Sequence, residues 1–210
     1  IKGLSQYLLR ACSIESPEHE KLKLIVEASG KMEQVIKHLR VFARTDGLTF
    51  KPVDVNSLIN ETFLILKELL VSGDIEFVLD LNPVPEIIGS ANRLEQVVIN
   101  IVANAKDAMP GGGRLTISSF TEDRAGKPYA RLTISDTGCG IPQNLIEKIF
   151  DPFFTTKEAG KGTGLGLSIS CGIIKEHGGE ISVESVIGKG TAFHIAIPAS
   201  VGKTAPLDGK

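Results

Sequence analysis

The chain has 210 residues, 42% of them apolar, a formal net charge of −2 and three cysteines. That length suits one full domain plus a smaller one, and the near-balanced charge argues against nucleic acid or an anionic membrane as partner. Cys12, Cys139 and Cys171 lack metal-ligand spacing and are odd in number, which points to a reducing cytoplasmic compartment; no apolar run reaches the roughly eighteen residues of a bilayer span, and no signal peptide is visible.

The chain begins at Ile1 and its first methionine is Met32, so it reads as part of a longer protein, with any sensor or membrane segment upstream. Residues 1–14 read as the end of a helix already under way. Ser16 is placed to cap a second helix with Pro17 at its first position, running to about Arg44. Leu22, Ile25, Ser29, Met32, Ile36, Leu39 and Ala43 recur at gaps of three and four, a heptad seam that asks for a partner helix. A helical hairpin over 1–46 is therefore expected, with a domain boundary near 45–52.

Asp54 can cap a helix from about Val55 to Leu70, and Ile75 to Leu81 alternates as a strand. Asn82-Pro83-Val84-Pro85 reads as a loop. A central helix is expected from about Asn92 to Met109, with Leu94, Val97, Val98, Ile101, Ala105 and Ala108 on one face. Two strands, about Arg114–Phe120 and Tyr129–Ser135, form a hairpin. A Gly-rich polar stretch from Asp136 to Gly164 holds one short helix, about Gln143–Ile149. Stretches of this length in a compact domain commonly serve as lids. A helix from Leu165 to His177 and strands Glu180–Ile187 and Thr191–Pro198 complete a domain over 47–198. Residues 199–210 read as a disordered tail. This order of elements excludes an all-parallel sheet. It predicts an α+β sandwich, a mixed sheet covered by helices on one face.

Gln96, Asn100, Asn104 and Asp107 share a second face of the central helix. That ridge is either a solvated face or a set of oxygens for a hard cation; two mid-helix asparagines, poor helix formers, favour the cation. Asp136 ends a strand and opens Asp136-Thr137-Gly138-Cys139-Gly140. A carboxylate there can accept from an exocyclic amine such as that of adenine. Gly160-Lys161-Gly162-Thr163-Gly164-Leu165-Gly166-Leu167 enters a helix, where backbone N–H groups attract phosphate. It has neither the G-K-[ST] ending of a P-loop nor the acidic-tipped strand of a dinucleotide fold. Phe150, Phe153 and Phe154 crowd beside Lys157, where they can pin the base of a lid.

RLEQVVINIVANAKDAM, DTGCGI, FDPFFTTK and GKGTGLGLS stand in this order. They resemble the N, G1, F and G2 boxes of sensor histidine kinases, within the GHKL group that includes gyrase B. The NAKDAMPGGG run followed by DPFFTTK is most similar to nitrogen-regulation-type kinases. The resemblance covers about residues 1–198 and implies a Bergerat-type ATP-binding domain behind part of a dimerisation and phosphoacceptor hairpin. It implies that Asn104 ligates Mg²⁺, that Asn100 and Asp107 support the metal, its waters or the phosphates, and that Asp136 reads the adenine amine with Thr191 nearby through water. Gly138 and Gly140 would give the base close access. Gly162, Thr163, Gly164 and Gly166, with the backbone at Leu165 and Leu167, would wrap the phosphates under a lid that Phe150 to Lys157 steady; apart from the resemblance, Lys157 and Lys161 read either as solvated side chains or as point charges that reach the phosphates. The implied partners are a second copy of the full-length protein and the receiver domain of a response regulator.

GHKL ATPases carry Glu where this chain has Asn100. A carboxamide has no basic oxygen at neutral pH, so activation of water is blunted and the phosphoryl group is kept for an imidazole. The family's H-[ED]-x-x-N-P-L motif is not in this sequence, and its place would be two to three turns before Ile1-Lys2-Gly3. His19, His38, His177 and His194 read as structural or solvated. This stretch is thus expected to bind ATP without phosphorylating itself. The alternatives are a GHKL ATPase driving a conformational cycle, a degenerate scaffold that binds no nucleotide, and a serine kinase of the anti-sigma type, which the heptad hairpin disfavours.

Overall fold

The structure, a computed structural model, describes residues 2–13, 16–26, 28–30, 49–70, 74–157 and 162–200. The chain divides into two units, Ile1–Gly47 with Asp151–Leu165, and Leu48–Phe150 with Gly166–Lys210.

In the first unit, α1 spans Lys2–Ala11 and α2 spans 17–26, with helical backbone again at 28–30. Ser16 caps α2 as expected: its hydroxyl accepts the His19 N–H at 3.2 Å. Leu4, Tyr7, Leu24 and Ile25 are exposed on these helices. The continuation of the second helix through Met32, Ile36, Leu39 and Ala43, and His38 with it, lie outside the described residues.

The second unit runs β1 (Lys51–Val53), α3 (Val55–Leu70), β2 (Ile75–Leu81), β3 (Ile87–Gly89), α4 (Ala91–Ala108), β4 (Gly113–Arg124), β5 (Lys127–Asp136), α5 (Gly166–Glu176), β6 (Glu180–Val186) and β7 (Gly190–Pro198). Five strands form one sheet in the order β2-β4-β5-β7-β6. Only β2 and β4 are parallel, and the crossover between them carries α4. Alternation along the strands turns Leu115, Ile117, Leu132, Ile134, Phe193 and Ile195 inward, each 6% exposed or less. Onto this face α4 lays Leu94, Val97, Val98, Ile101, Val102 and Ala105, flanked by α3 and α5. Each buried Leu, Ile or Val contributes about 1.5–3 kcal/mol, so this apolar stripe decides which way α4 faces. The opposite face carries Arg114, Thr116, Ser118, Thr133 and His194. This is the expected α+β sandwich with a mixed sheet and helices on one side.

Three local readings change. The expected helix over 143–149 is two separate 3-10 turns, Gln143–Leu145 and Lys148–Phe150. A two-stranded sheet of β1 and β3 stands where no strand was expected. The tail is held two residues further than the sequence indicates: Ala199 bridges Ile87 and the Ser200 N–H donates to the Glu86 carbonyl at 2.7 Å. Residues 201–210 lie outside the described residues. Asp54 caps α3 as expected, accepting the N–H groups of Asn56 and Ser57 at 2.8 and 3.2 Å. The Ser57 bonds hold its carboxyl below the ordinary range.

His177 is structural, and it ties α5 to the start of α4. Its Nδ1–H donates to the Ile173 carbonyl at 2.7 Å, which leaves Nε2 to accept the Ser90 N–H at 3.0 Å. The Ser90 side chain makes no cap bond, so the imidazole satisfies backbone at the entry to α4. Phe50 stacks on the ring at 4.8 Å, and the Arg93–Glu176 ion pair faces it from α4 and α5. Burial pushes the His177 pKa below its ordinary value. The folded chain therefore resists a proton that the unfolded chain accepts, and stability is lost as pH falls below about 6.5. Thermal melts from pH 8 to pH 5 are expected to show this decline, and His177→Phe is expected to flatten it relative to the unsubstituted chain.

Candidate nucleotide site

The C-terminal end of α4 carries the oxygen-rich ridge, and the loop after β5 is bound to that end. The Cys139 N–H donates to the Ala108 carbonyl at 3.0 Å, supplying a partner to one of the last free carbonyls of α4. At Gly138 a Cβ would lie 2.6 Å from that same carbonyl. Gly140 has φ +73°, and a Cβ there would strike the Val186 carbonyl group. The space these glycines leave open is thus filled by protein backbone. Gly138 lets the loop close on the end of α4, and Gly140 lets it close on the end of β6.

Asp136 ends β5 with 6% of its surface exposed. Its carboxylate accepts the Gly138 N–H at 2.8 Å. Burial raises its pKa, and hydrogen bonds from the Gly138 and Thr191 backbone partly oppose that rise. Asp136 and Thr191 are register partners across β5 and β7. Ser185, which the sequence did not single out, organises this corner. Its hydroxyl donates to the Gly190 carbonyl at 2.9 Å and accepts the Ile141 N–H at 2.7 Å. With that proton committed, the contact of 2.9 Å to Thr191 Oγ1 has Thr191 as donor, and Thr191 keeps only lone pairs to offer. The corner combines a buried acceptor-only carboxylate with a hydroxyl oxygen, which suits an amino-bearing heterocycle.

Asn100, Asn104 and Asp107 follow one another along α4 as the spacing predicts, Asn100 and Asn104 half-buried and Asp107 exposed. Nδ2 of Asn100 donates to the Gly166 carbonyl at 3.3 Å, so the first residue of α5 meets the ridge. Leu167 is half-buried one residue further along α5. Among the described residues no three His, Cys, Asp or Glu side chains converge on a complete metal cage. A hard cation on this ridge would draw further oxygens from phosphates or water, which fits the donors present.

The remaining predicted residues, Lys157, Gly162, Thr163, Gly164 and Leu165, belong to the other unit. There the Phe153 N–H donates to the Gly164 carbonyl at 2.9 Å, and the Leu165 N–H reaches Thr163 Oγ1 at 3.4 Å. The Lys157 N–H donates to Thr155 Oγ1 at 3.2 Å. Lys161 lies outside the described residues.

A family model described as histidine kinase-, DNA gyrase B- and HSP90-like ATPase matches residues 89–201. The sensor kinase CckA of Brucella abortus (strain 2308) is 37% identical over 209 residues, covering 92% of this chain and 22% of that longer protein. The solved catalytic domain of histidine kinase ThkA is 38% identical with a TM-score of 0.61, covering 71% of this chain and 97% of that one. Histidine kinase ThkA in complex with response regulator protein TrrA gives a TM-score of 0.70 at 29% identity, over 94% of this chain and 56% of that one. The matched span takes in the α4 ridge, Asp136, Gly166 and Thr191. This chain belongs to the histidine kinase-, DNA gyrase B- and HSP90-like ATPase family.

Proposed function

We propose that the chain is the ATP-binding catalytic region of a two-component sensor histidine kinase. The full-length protein transfers the γ-phosphoryl group of ATP to one of its own histidines, outside this sequence, and then to an aspartate on a response-regulator receiver domain. One observation carries this reading: a carboxamide, Asn100, and not a carboxylate, meets the start of α5. An amide is no general base, so water is a poor competitor for the phosphoryl group.

In this reading Asp136 accepts the adenine amine and Thr191 serves the same base. Asn104 ligates Mg²⁺, with Asn100 and Asp107 supporting the metal, its waters or the phosphates. Gly162, Thr163, Gly164, Leu165, Gly166 and Leu167 wrap the phosphates with backbone N–H groups, and Lys157 adds a positive charge. Magnesium supplies neutralisation of phosphate charge, and the protein supplies position. The exposed Leu4, Tyr7, Leu24 and Ile25 support a helical homodimer in the full-length protein. The region works on the cytoplasmic side, and any attachment to a membrane comes from segments outside this sequence. No described helix is long and apolar enough to cross one.

Calorimetric titration tests the reading. ATP and ADP are expected to bind in the micromolar range, more tightly with Mg²⁺ than with EDTA. Asn104→Ala is expected to erase that difference while adenosine binding persists. An unchanged Mg²⁺ enhancement in Asn104→Ala refutes the metal assignment, and steady phosphate release from ATP supports the ATPase reading instead.

A further inference from the structure

Ser170 is fully buried on α5 and has no part in the roles assigned above. Its hydroxyl donates to the Gly166 carbonyl one turn earlier, at 2.9 Å. Nδ2 of Asn100 lies 3.4 Å from Ser170 Oγ and 3.3 Å from that same carbonyl oxygen. A carbonyl oxygen only accepts. The Ser170 proton is already given to it, so the Ser170 oxygen faces Asn100 as an acceptor as well. Two acceptors therefore confront one end of the Asn100 carboxamide, and only its NH₂ end satisfies them. The torsion that flips a carboxamide is broad and roughly two-fold, so its orientation is decided by partners and not by the side chain itself.

We infer that Ser170 is a positioning residue: with the Gly166 carbonyl it selects the Asn100 orientation that keeps NH₂ toward α5 and leaves Oδ1 for the metal and phosphates. The inference rests on the Mg·ATP reading proposed above. The consequence is chemical, because a hard cation and its water shell need an oxygen acceptor, and an amide NH₂ supplies none. A flipped Asn100 would present donors to the cation and set its oxygen against the Gly166 carbonyl. Loss of one of two long hydrogen bonds removes part of the bias and not all of it, so the effect is moderate.

The test is titration of ADP, with Mg²⁺ and with EDTA, into the unsubstituted chain, Ser170→Ala, Ser170→Thr, Asn100→Ala and the double variant Ser170→Ala/Asn100→Ala. Adenosine serves as a phosphate-free control, and circular dichroism confirms folding. Ser170→Ala is expected to weaken the Mg²⁺-dependent ADP affinity about three- to tenfold, the range of one hydrogen bond's net contribution. Adenosine binding stays at its original value, and Ser170→Thr, which keeps the hydroxyl, restores most of the loss. In the Asn100→Ala background Ser170→Ala has no further effect, because no carboxamide remains to orient. Should Ser170→Ala fold poorly, Ser170→Cys takes its place, with the same expected loss. A folded variant with full Mg²⁺ enhancement, or an equal loss with and without Asn100, overturns the positioning role alone. Absence of Mg²⁺-dependent binding by the unsubstituted chain overturns the Mg·ATP reading and this inference with it.

Discussion

Asp136→Asn is expected to weaken ATP binding by about a hundredfold or more and, at the same time, to raise the melting temperature of the nucleotide-free chain. The two effects share one cause. Asp136 is buried at the end of β5, and burial is the largest influence on its raised pKa. An acid whose folded pKa lies above its ordinary value favours folding when protonated. That contribution is present at low pH and is lost as pH rises through the folded value. At neutral pH the ionised side chain is thus a cost to the fold. Asparagine removes the charge and can still accept the Gly138 N–H through its oxygen. Its NH₂ group, however, meets the amine of adenine donor against donor, and an unmatched buried donor costs about 1–3 kcal/mol on each side. Calorimetry with ATP and melting curves at pH 7 measure the two effects together. Undiminished ATP affinity in Asp136→Asn would remove the adenine contact from the scheme.

Gly140→Ala is expected to destabilise the nucleotide-free chain by about 2–4 kcal/mol, through backbone strain and a steric clash acting together. The backbone at Gly140 lies at φ +73°, and a methyl group would press on the Val186 carbonyl carbon at 2.8 Å and the Ile187 Cα at 3.0 Å. Both obstacles are backbone, so no rotamer change relieves them. Denaturant melts in the absence of nucleotide separate this from the expectation that Gly140 gives the base close access. If access were its sole task, the ligand-free melt would stay unchanged while affinity fell.

Much of the candidate site was legible because its residues are local in sequence. Asn100, Asn104 and Asp107 sit on one helix, and helical spacing alone aligns them. The central helix was expected over Asn92–Met109 and spans Ala91–Ala108. The mixed sheet followed from the order of elements, because the hairpins among the helices exclude an all-parallel sheet. What escaped is non-local or short. β1 and β3 have three residues each, and Pro52, Pro83 and Pro85 make their surroundings read as loop; only their pairing, Val53 against Ile87, makes them strands. The stretch after Pro142 has helical composition but breaks into two turns. Ser185 and Ser170 act through partners far away in sequence. Ser170 did leave a trace, since it shares the buried face of α5 with Ile173 and Ile174. A serine on an otherwise apolar face needs partners, and the Gly166 carbonyl and Asn100 are those partners.

The strand order leaves β2 and β6 as the two rims of the sheet. Each rim bears two exposed acids four residues apart, Glu76 and Asp80 on β2, Glu180 and Glu184 on β6. A second molecule approaching edge-on to extend the sheet would have to accommodate these charged side chains, Glu76 paired with Arg114 and Glu180 with Arg124. Such charged margins discourage fibril-like stacking through this sheet.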